Sequence, residues 1–321
     1  MFVRIQRFAV FAVICNLFAV AARRTSAEES PSEVTLVPHW KVGDKLHYEI
    51  VKSKANTRGG KITRNRARTK LDIEVIHADA ERVRFRWTQS NTTVDDPQVA
   101  NDPSAQQMLR LMADWSMVVE ATPEGAILDL LNWEELKEKM DRGVAALRER
   151  LSKEVPDKDS LAVFDKTFSM ADNENAFKSA CIQEVQLFLA VSGKTYSKSR
   201  PLEYDSMLQL PIGRGADIPS RTVFTLRSYD PKSSEVVIRR QLSVDPKEIK
   251  QAIEKMFRDF ARDSGKPEVD PKRQPTVSME NIAEYTVDLR DGWIKQLKHK
   301  KVFETDGIRG GELLTITRTA G

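Results

Sequence analysis

Hydrophobic and polar residues alternate within the stretch Lys45 to Gln89: Leu46, Tyr48 and Ile50, then Leu71, Ile73 and Val75, then Val83, Phe85 and Trp87, with polar residues between them. Successive side chains of a strand point to opposite faces, so the pattern predicts three strands with one buried and one solvated face. A turn at 78–80, flanked by His77 and Glu81, sets Val75 opposite Val83, Ile73 opposite Phe85 and Leu71 opposite Trp87. The same register sets Glu74 opposite Arg84 and Asp72 opposite Arg86 on the solvated face, where opposite charges contribute about 0.2 to 1 kcal/mol per pair.

Downstream the period changes to three and four. A helix is predicted over 103–115, with Asp102 as cap, Pro103 at its first position, and Met108, Leu109, Met112 and Trp115 on one side. A hairpin from Met117 to Leu131 turns on Thr122-Pro123-Glu124-Gly125. Asn132 then caps a long helix, Glu135 completes a capping box, and Trp133, Leu136, Met140, Val144, Leu147 and Leu151 form its stripe. Two more helices are expected over 158–170 and 174–191, the second carrying Phe177, Cys181, Val185 and Phe188 and ending at Gly193. Period two returns with Phe224 and Leu226, a turn at Asp230-Pro231, and Val236, Ile238 and Leu242. Asp245, Pro246 and Glu248 start another helix, whose stripe is Ile249, Ile253, Met256, Phe257 and Phe260. A charged linker, 263–274, precedes the last strands: Ile282 to Leu289, a tight turn at Asp291-Gly292, Trp293 to Phe303, and Glu312 to Thr319.

These elements predict an α+β fold of curved antiparallel sheets packed with amphipathic helices. The expected organisation is a leader over 1–27, a flexible lead-in over 28–39, a first sheet-plus-helix module over 40–155, a helical insertion over 156–200 and a second module over 201–321. Both modules follow the order hairpin, helix, hairpin turning on a glycine (Gly125, then Gly292), which suggests a duplicated unit.

The first residues change the picture of where the protein works. Arg4 and Arg7 precede an apolar run from Phe8 to Val20, and small residues follow at Ala19, Ala21 and Ala22. That is the order and length of a secretory signal peptide, cut between Ala21 and Ala27. Asn16 interrupts a run already short of the roughly 20 apolar residues that a membrane-spanning helix needs. Cys15 follows Ile14, where a lipoprotein cysteine would follow a small residue. A periplasmic or secreted location is expected, with membrane association only where the leader stays uncleaved.

Removing the leader also removes the positive balance. The chain of 321 residues has 51 basic and 47 acidic side chains, and Arg4, Arg7, Arg23 and Arg24 go with the leader. The mature body is then near neutral, and the whole-chain pI of about 8.9 gives no support for a nucleic-acid partner. Cys181 is the lone thiol after the leader, so no intramolecular disulfide forms and stability rests on core burial.

Motifs with specific chemistry are missing from the sequence. His39, His47, His77 and His299 lack metal-ligand spacing, and no nucleophile elbow, phosphate loop or dinucleotide fingerprint occurs, so neither a metal nor another cofactor is expected. The glycine pairs Gly59-Gly60 and Gly310-Gly311 read as hairpin turns. One local feature stands out: from Lys52 to Lys70 there are cations at 52, 54, 58, 61, 64, 66, 68 and 70 and no acid. Arg64, Arg66, Arg68 and Lys70 recur at every second residue and project from one strand face, and Arg82, Arg84 and Arg86 repeat the device on the next strand. Such a face fits phosphate, lipid headgroups or another polyanion, since guanidinium groups hold oxyanions through paired hydrogen bonds. The competing account is a solvated face with ion pairs to Glu49, Asp72 and Glu74. On the opposite face, Tyr48, Phe85, Trp87, Trp293 and Phe303 read by default as core packing and are also candidates to line an apolar pocket for an acyl chain or other hydrophobic ligand.

The stretch Trp40-Lys41-Val42-Gly43-Asp44-Lys45-Leu46-His47-Tyr48, followed by a long basic hairpin, resembles the opening of uncharacterised exported bacterial proteins that share a W-x-V-G-D…Y start. Gly43-Asp44 would form the turn into the first strand. The resemblance covers about the first sheet, implies export and an α+β fold, and carries over no catalytic residue. The expected function is non-catalytic binding in the cell envelope, to an anionic polymer, a lipid or another envelope protein. The alternative is an exported hydrolase whose site is assembled from dispersed carboxylates.

Overall fold

The computed structural model describes residues 33–58, 61–96, 115–154, 173–209, 217–264, 278–305 and 308–320, with scattered positions between 102 and 113 and between 161 and 165. The expected leader, the helix at 158–170 and Gly59-Gly60 lie largely or wholly outside the described residues.

The fold is α+β, built, among the described residues, on one weakly curled antiparallel sheet of 11 strands. Its strands in chain order are β2 (Lys45–Arg58), β3 (Lys61–Ala78), β4 (Val83–Val94), β5 (Trp115–Ala121), β6 (Ile127–Leu130), β8 (Leu202–Gln209), β9 (Asp217–Asp230), β10 (Glu235–Val244), β11 (Ser278–Asp288), β12 (Ile294–Thr305) and β13 (Ile308–Arg318). A separate pair joins β1 (Glu33–Leu36) to β7 (Lys194–Ser197). The helices are α1 (Trp133–Glu154), α2 (Glu174–Leu189) and α3 (Pro246–Ser264). Across the sheet the order is β6-β5-β4-β3-β2-β13-β12-β11-β10-β9-β8. The strands of 40–155 and of 201–321 therefore form one layer, joined where β2 pairs with β13, and both sets run across it in the same sense.

Alternation decides the faces. Leu46, Tyr48, Ile50, Leu71, Ile73, Val75, Phe85 and Trp87 are all buried, and Phe177, Val185, Phe188 and Leu189 of α2 close over them. The parity expected from the sequence is correct, but the register of β3 with β4 is offset by two residues: Val75 stands opposite Phe85, Ile73 opposite Trp87 and Glu74 opposite Arg86. The cause lies at the turn. Asp79 Oδ1 accepts from the N–H groups of Glu81 and Arg82, both at 2.8 Å, and a bulge at Ile76 takes up the extra length. An even offset keeps every side chain on its face, whereas an odd one would turn the strand inside out.

Several boundaries differ from the sequence reading. Trp115 opens β5 instead of closing a helix. The flexible lead-in is ordered in part: β1 pairs with β7, Leu36 is buried, and Gly193 N–H donates to Leu36 O. β7 lies inside the expected helical insertion, and β8 adds an unexpected strand before the Pro-rich passage. Gly310 and Gly311 sit inside β13, not at a turn. Gly292 has φ +72°, and a Cβ there would lie 2.1 Å from Val37 O, so a bare backbone is what lets the lead-in cross the β11–β12 turn. Gly43, at φ +90°, takes the second central place of a turn closed by Asp44 N–H on Lys41 O.

Candidate anion-binding face

β3 holds Arg64, Arg66, Arg68 and Lys70 exposed on the solvated face, because Leu71, Ile73 and Val75 of opposite parity are buried. The two arginines of β4 are engaged elsewhere. Arg84 Nε donates to Glu120 Oε1 at 2.8 Å, and Arg86 Nη1 to Glu74 Oε2 at 2.5 Å. Asp72 faces His47 Nδ1 at 2.6 Å. Arg66 stands 3.9 Å from Asp95. Lys70 is opposite Glu49 in register. Among the described residues, Arg64, Arg68 and Lys70 have no carboxylate oxygen within 4.0 Å. The six expected contacts therefore divide: Arg84 and Arg86 belong to internal ion pairs, Arg66 stands within ion-pair range of Asp95, and Arg64, Arg68 and Lys70 remain available among the described residues.

Where β3, β2, β13 and β12 run side by side, their registers align two cross-strand rows on this face. One row is Arg66, Ser53, Leu313 and Lys300. The next is Arg64, Ala55, Gly311 and Val302. Between the long side chains of β3 and those of β12, the small residues leave an open groove of about 710 Å³, bordered by Asp95 and Asp96 beyond Arg66. Leu313 is 45% exposed within it. Lys300 is paired with Glu280 at 2.8 Å and Lys54 with Glu312 at 3.5 Å.

The candidate apolar pocket is a filled core, the default reading of these residues from the sequence pattern, with Phe303 as the exception. Phe188 of α2 packs edge-on against Tyr48 and Trp87, both with ring centroids at 5.3 Å, and lies 6.5 Å from Trp293. Trp40 stacks on Phe85 at 5.5 Å and meets Trp293 edge-on at 4.8 Å. Tyr48, Phe85, Trp87 and Trp293 are thus interior packing. Phe303 stands apart, 38% exposed, opposite Gly310 near the end of β12. The helix stripe that fills this space lies about 100 residues from the strands it covers, so alternation within the strands gave no sign of it.

No family model matches the chain. No curated protein matches it either. Among solved structures it is similar to a lipovitellin structure described as showing lipid–protein interactions, with a TM-score of 0.44 and 8% identity over 88% of this chain. The chain spans 25% of the length of that structure.

Beyond the apolar core the same inner face turns polar, which alternation did not anticipate. Lys52 of β2 pairs with Glu184 of α2, and Gln89 Nε2 donates to Glu184 Oε2 at 3.0 Å. His299 is buried, with Nε2 donating to Asn281 Oδ1 at 2.8 Å, and burial, then Lys301 and Arg240, push its pKa down to about 4. The buried carboxylates each face an arginine: Glu120 with Arg82 and Arg84 on β5, and Asp288 with Arg290 at the end of β11. Hydrogen bonds from Arg290 above all hold the Asp288 carboxyl down to about 2. β5 and β11 are separated by five intervening strands, so these two carboxylates do not converge. Burial pushes the Cys181 thiol up to about 11, away from the reactive thiolate. Among the described residues no three His, Cys, Asp or Glu side chains gather as a metal-ligand set, and no described helix is long and apolar enough to cross a membrane.

Proposed function

We propose that the protein is exported and acts by binding, holding an anionic or amphipathic partner of the cell envelope on the basic face of β3. The observation that carries the reading is the row Arg64, Arg68 and Lys70: three exposed cations on one strand face without a carboxylate in ion-pair range among the described residues. In a body of balanced charge, cations left unpaired on a rigid strand are a local attraction for oxyanions, and guanidinium geometry favours phosphate or carboxylate heads. Export rests on the basic start, the apolar run from Phe8 to Val20 and the small residues that follow.

Binding is measured with vesicles of phosphatidylglycerol in phosphatidylcholine, and with dextran sulfate, at about 0.01 M salt, where charges act over roughly 30 Å. The wild-type chain binds both, the triple variant Arg64→Ser, Arg66→Ser, Arg68→Ser binds at least tenfold more weakly, and raising the salt weakens the wild type. A wild-type chain that ignores both probes sinks the reading. Amino-terminal sequencing of the protein recovered from its native compartment should start between residues 22 and 28; a protein retaining Met1 in the cytosol removes export from it.

A further inference from the structure

The groove over β2 and β13 carries an order of chemistry along its rows as well as a charge. In one row the unpaired Arg64 is followed by Ala55, then Gly311, then Val302, and half-exposed Leu313 stands beside Gly311. The direction is cation, open floor, apolar wall. The carboxylates nearby leave Arg64 as the anion contact, because Asp95 stands by Arg66 and Glu312 is held by Lys54.

Gly311 is the residue that the fold does not ask for. Its backbone is outside the left-handed region, and a Cβ built on it would meet nothing nearer than Lys301 O at 3.8 Å, an ordinary contact. A glycine inside a strand is less stable than alanine because it gives up more backbone freedom on folding, and in strands it often marks close approach of a ligand. Here its effect is to keep the groove floor open between Arg64 and Val302. Adjacent strands are about 4.8 Å apart, so a floor bounded by the side chains of β3 and β12 admits one extended hydrocarbon chain.

Resting on the reading above, we infer that this groove is a site for a single-chain anionic amphipath, with its head on Arg64 and its chain across Ala55 and Gly311 against Val302 and Leu313. The volume of about 710 Å³ lies within the range of small-ligand sites.

The test uses the purified full chain at low salt with dodecyl phosphate below its micelle concentration, inorganic phosphate, and dextran sulfate. Dodecyl phosphate should bind at least tenfold more tightly than inorganic phosphate. Gly311→Leu, which fills the floor, should weaken dodecyl phosphate at least tenfold and leave dextran sulfate within twofold. Leu313→Ser, at an exposed position, should act in the same direction and decides the matter if Gly311→Leu does not fold. Equal binding of dodecyl phosphate by wild type and both variants overturns the inference, as does a wild type that prefers neither phosphate while still binding dextran sulfate; the basic-face reading then stands. Loss of dextran sulfate binding in the wild type itself takes down that reading, and the inference with it.

Discussion

His299 is a base buried beside two cations, Lys301 and Arg240, with its Nε2 hydrogen committed to Asn281. Its native pKa of about 4 lies below the ordinary 6.5, so the unfolded chain takes up a proton that the native chain refuses. Its contribution is complete above pH 6.5 and is lost as the pH falls from there towards 4, by about 3 kcal/mol at most. Urea midpoints at pH 7.5, 5.5 and 4.5 check this against His299→Gln, which keeps a donor for Asn281 without a titrating ring. The wild type should lose stability relative to the variant on acidification; parallel curves would mean that the ring titrates freely. From sequence, His299 reads as a residue among strand charges. Its burial depends on which face β12 turns inward and on what lies across from it, neither of which its neighbours in the chain reveal.

At the scale of the elements, Asn132 shows how a local signal can be right about place and wrong about mechanism. The capping box predicted from Asn132 and Glu135 would have the side-chain oxygen accept from the first turn of α1. Instead Asn132 Oδ1 accepts from Val118 N–H at 2.8 Å and its amide donates to Ser116 O at 2.9 Å, tying the helix start to β5. Its backbone carbonyl still takes the first helical bond, from Leu136 at 3.2 Å. The β5–β6 pairing ends at Val119 opposite Leu130, which leaves the Val118 N–H for the amide to satisfy. A cap would tolerate Asp; a bridge that must donate to one strand group and accept from another would not. Asn132→Asp should therefore cost about 1 to 3 kcal/mol, close to Asn132→Ala, when both are measured by urea denaturation. A neutral Asp variant would restore the capping account. Asp245 is the contrast, since its Oδ1 accepts from Lys247 N–H at 2.8 Å, as the sequence implied. Strand faces were legible for the same reason that Asp245 was: period two and short-range bonds are local. The offset of β3 on β4 was not, because a turn can lengthen by a bulge without disturbing the pattern of faces.

For the whole molecule, the decisive pairing is the one that sequence hides most completely. β2 and β13 join over 11 register pairs, with Ile50 opposite Ile316, although the two strands lie at opposite ends of the described chain. The groove is assembled across that seam, so Gly311 reads as a turn residue until the strands meet. Alone, residues 40–155 would present β2 as a 14-residue edge, and the second half would present β13, both with one apolar face. The hydrophobic core runs through the seam, with Tyr48, Ile50, Leu314 and Ile316 all buried and the Tyr48 hydroxyl donating to Ile294 O at 2.9 Å. Such continuity predicts one cooperative unit despite the two similar strand sets. Tryptophan fluorescence and far-UV circular dichroism should follow a single coincident urea transition. Ile316→Ala, at a fully buried position, should lower stability by about 2 to 5 kcal/mol. Hydrogen exchange should then lose protection equally in β4 and β10, which lie on either side of the seam and make no contact with residue 316 through their own ladders. If β10 opened while β4 stayed protected, or two transitions separated, the halves would be independent domains sharing an edge; equal loss means that the seam transmits the damage because both halves are built around it.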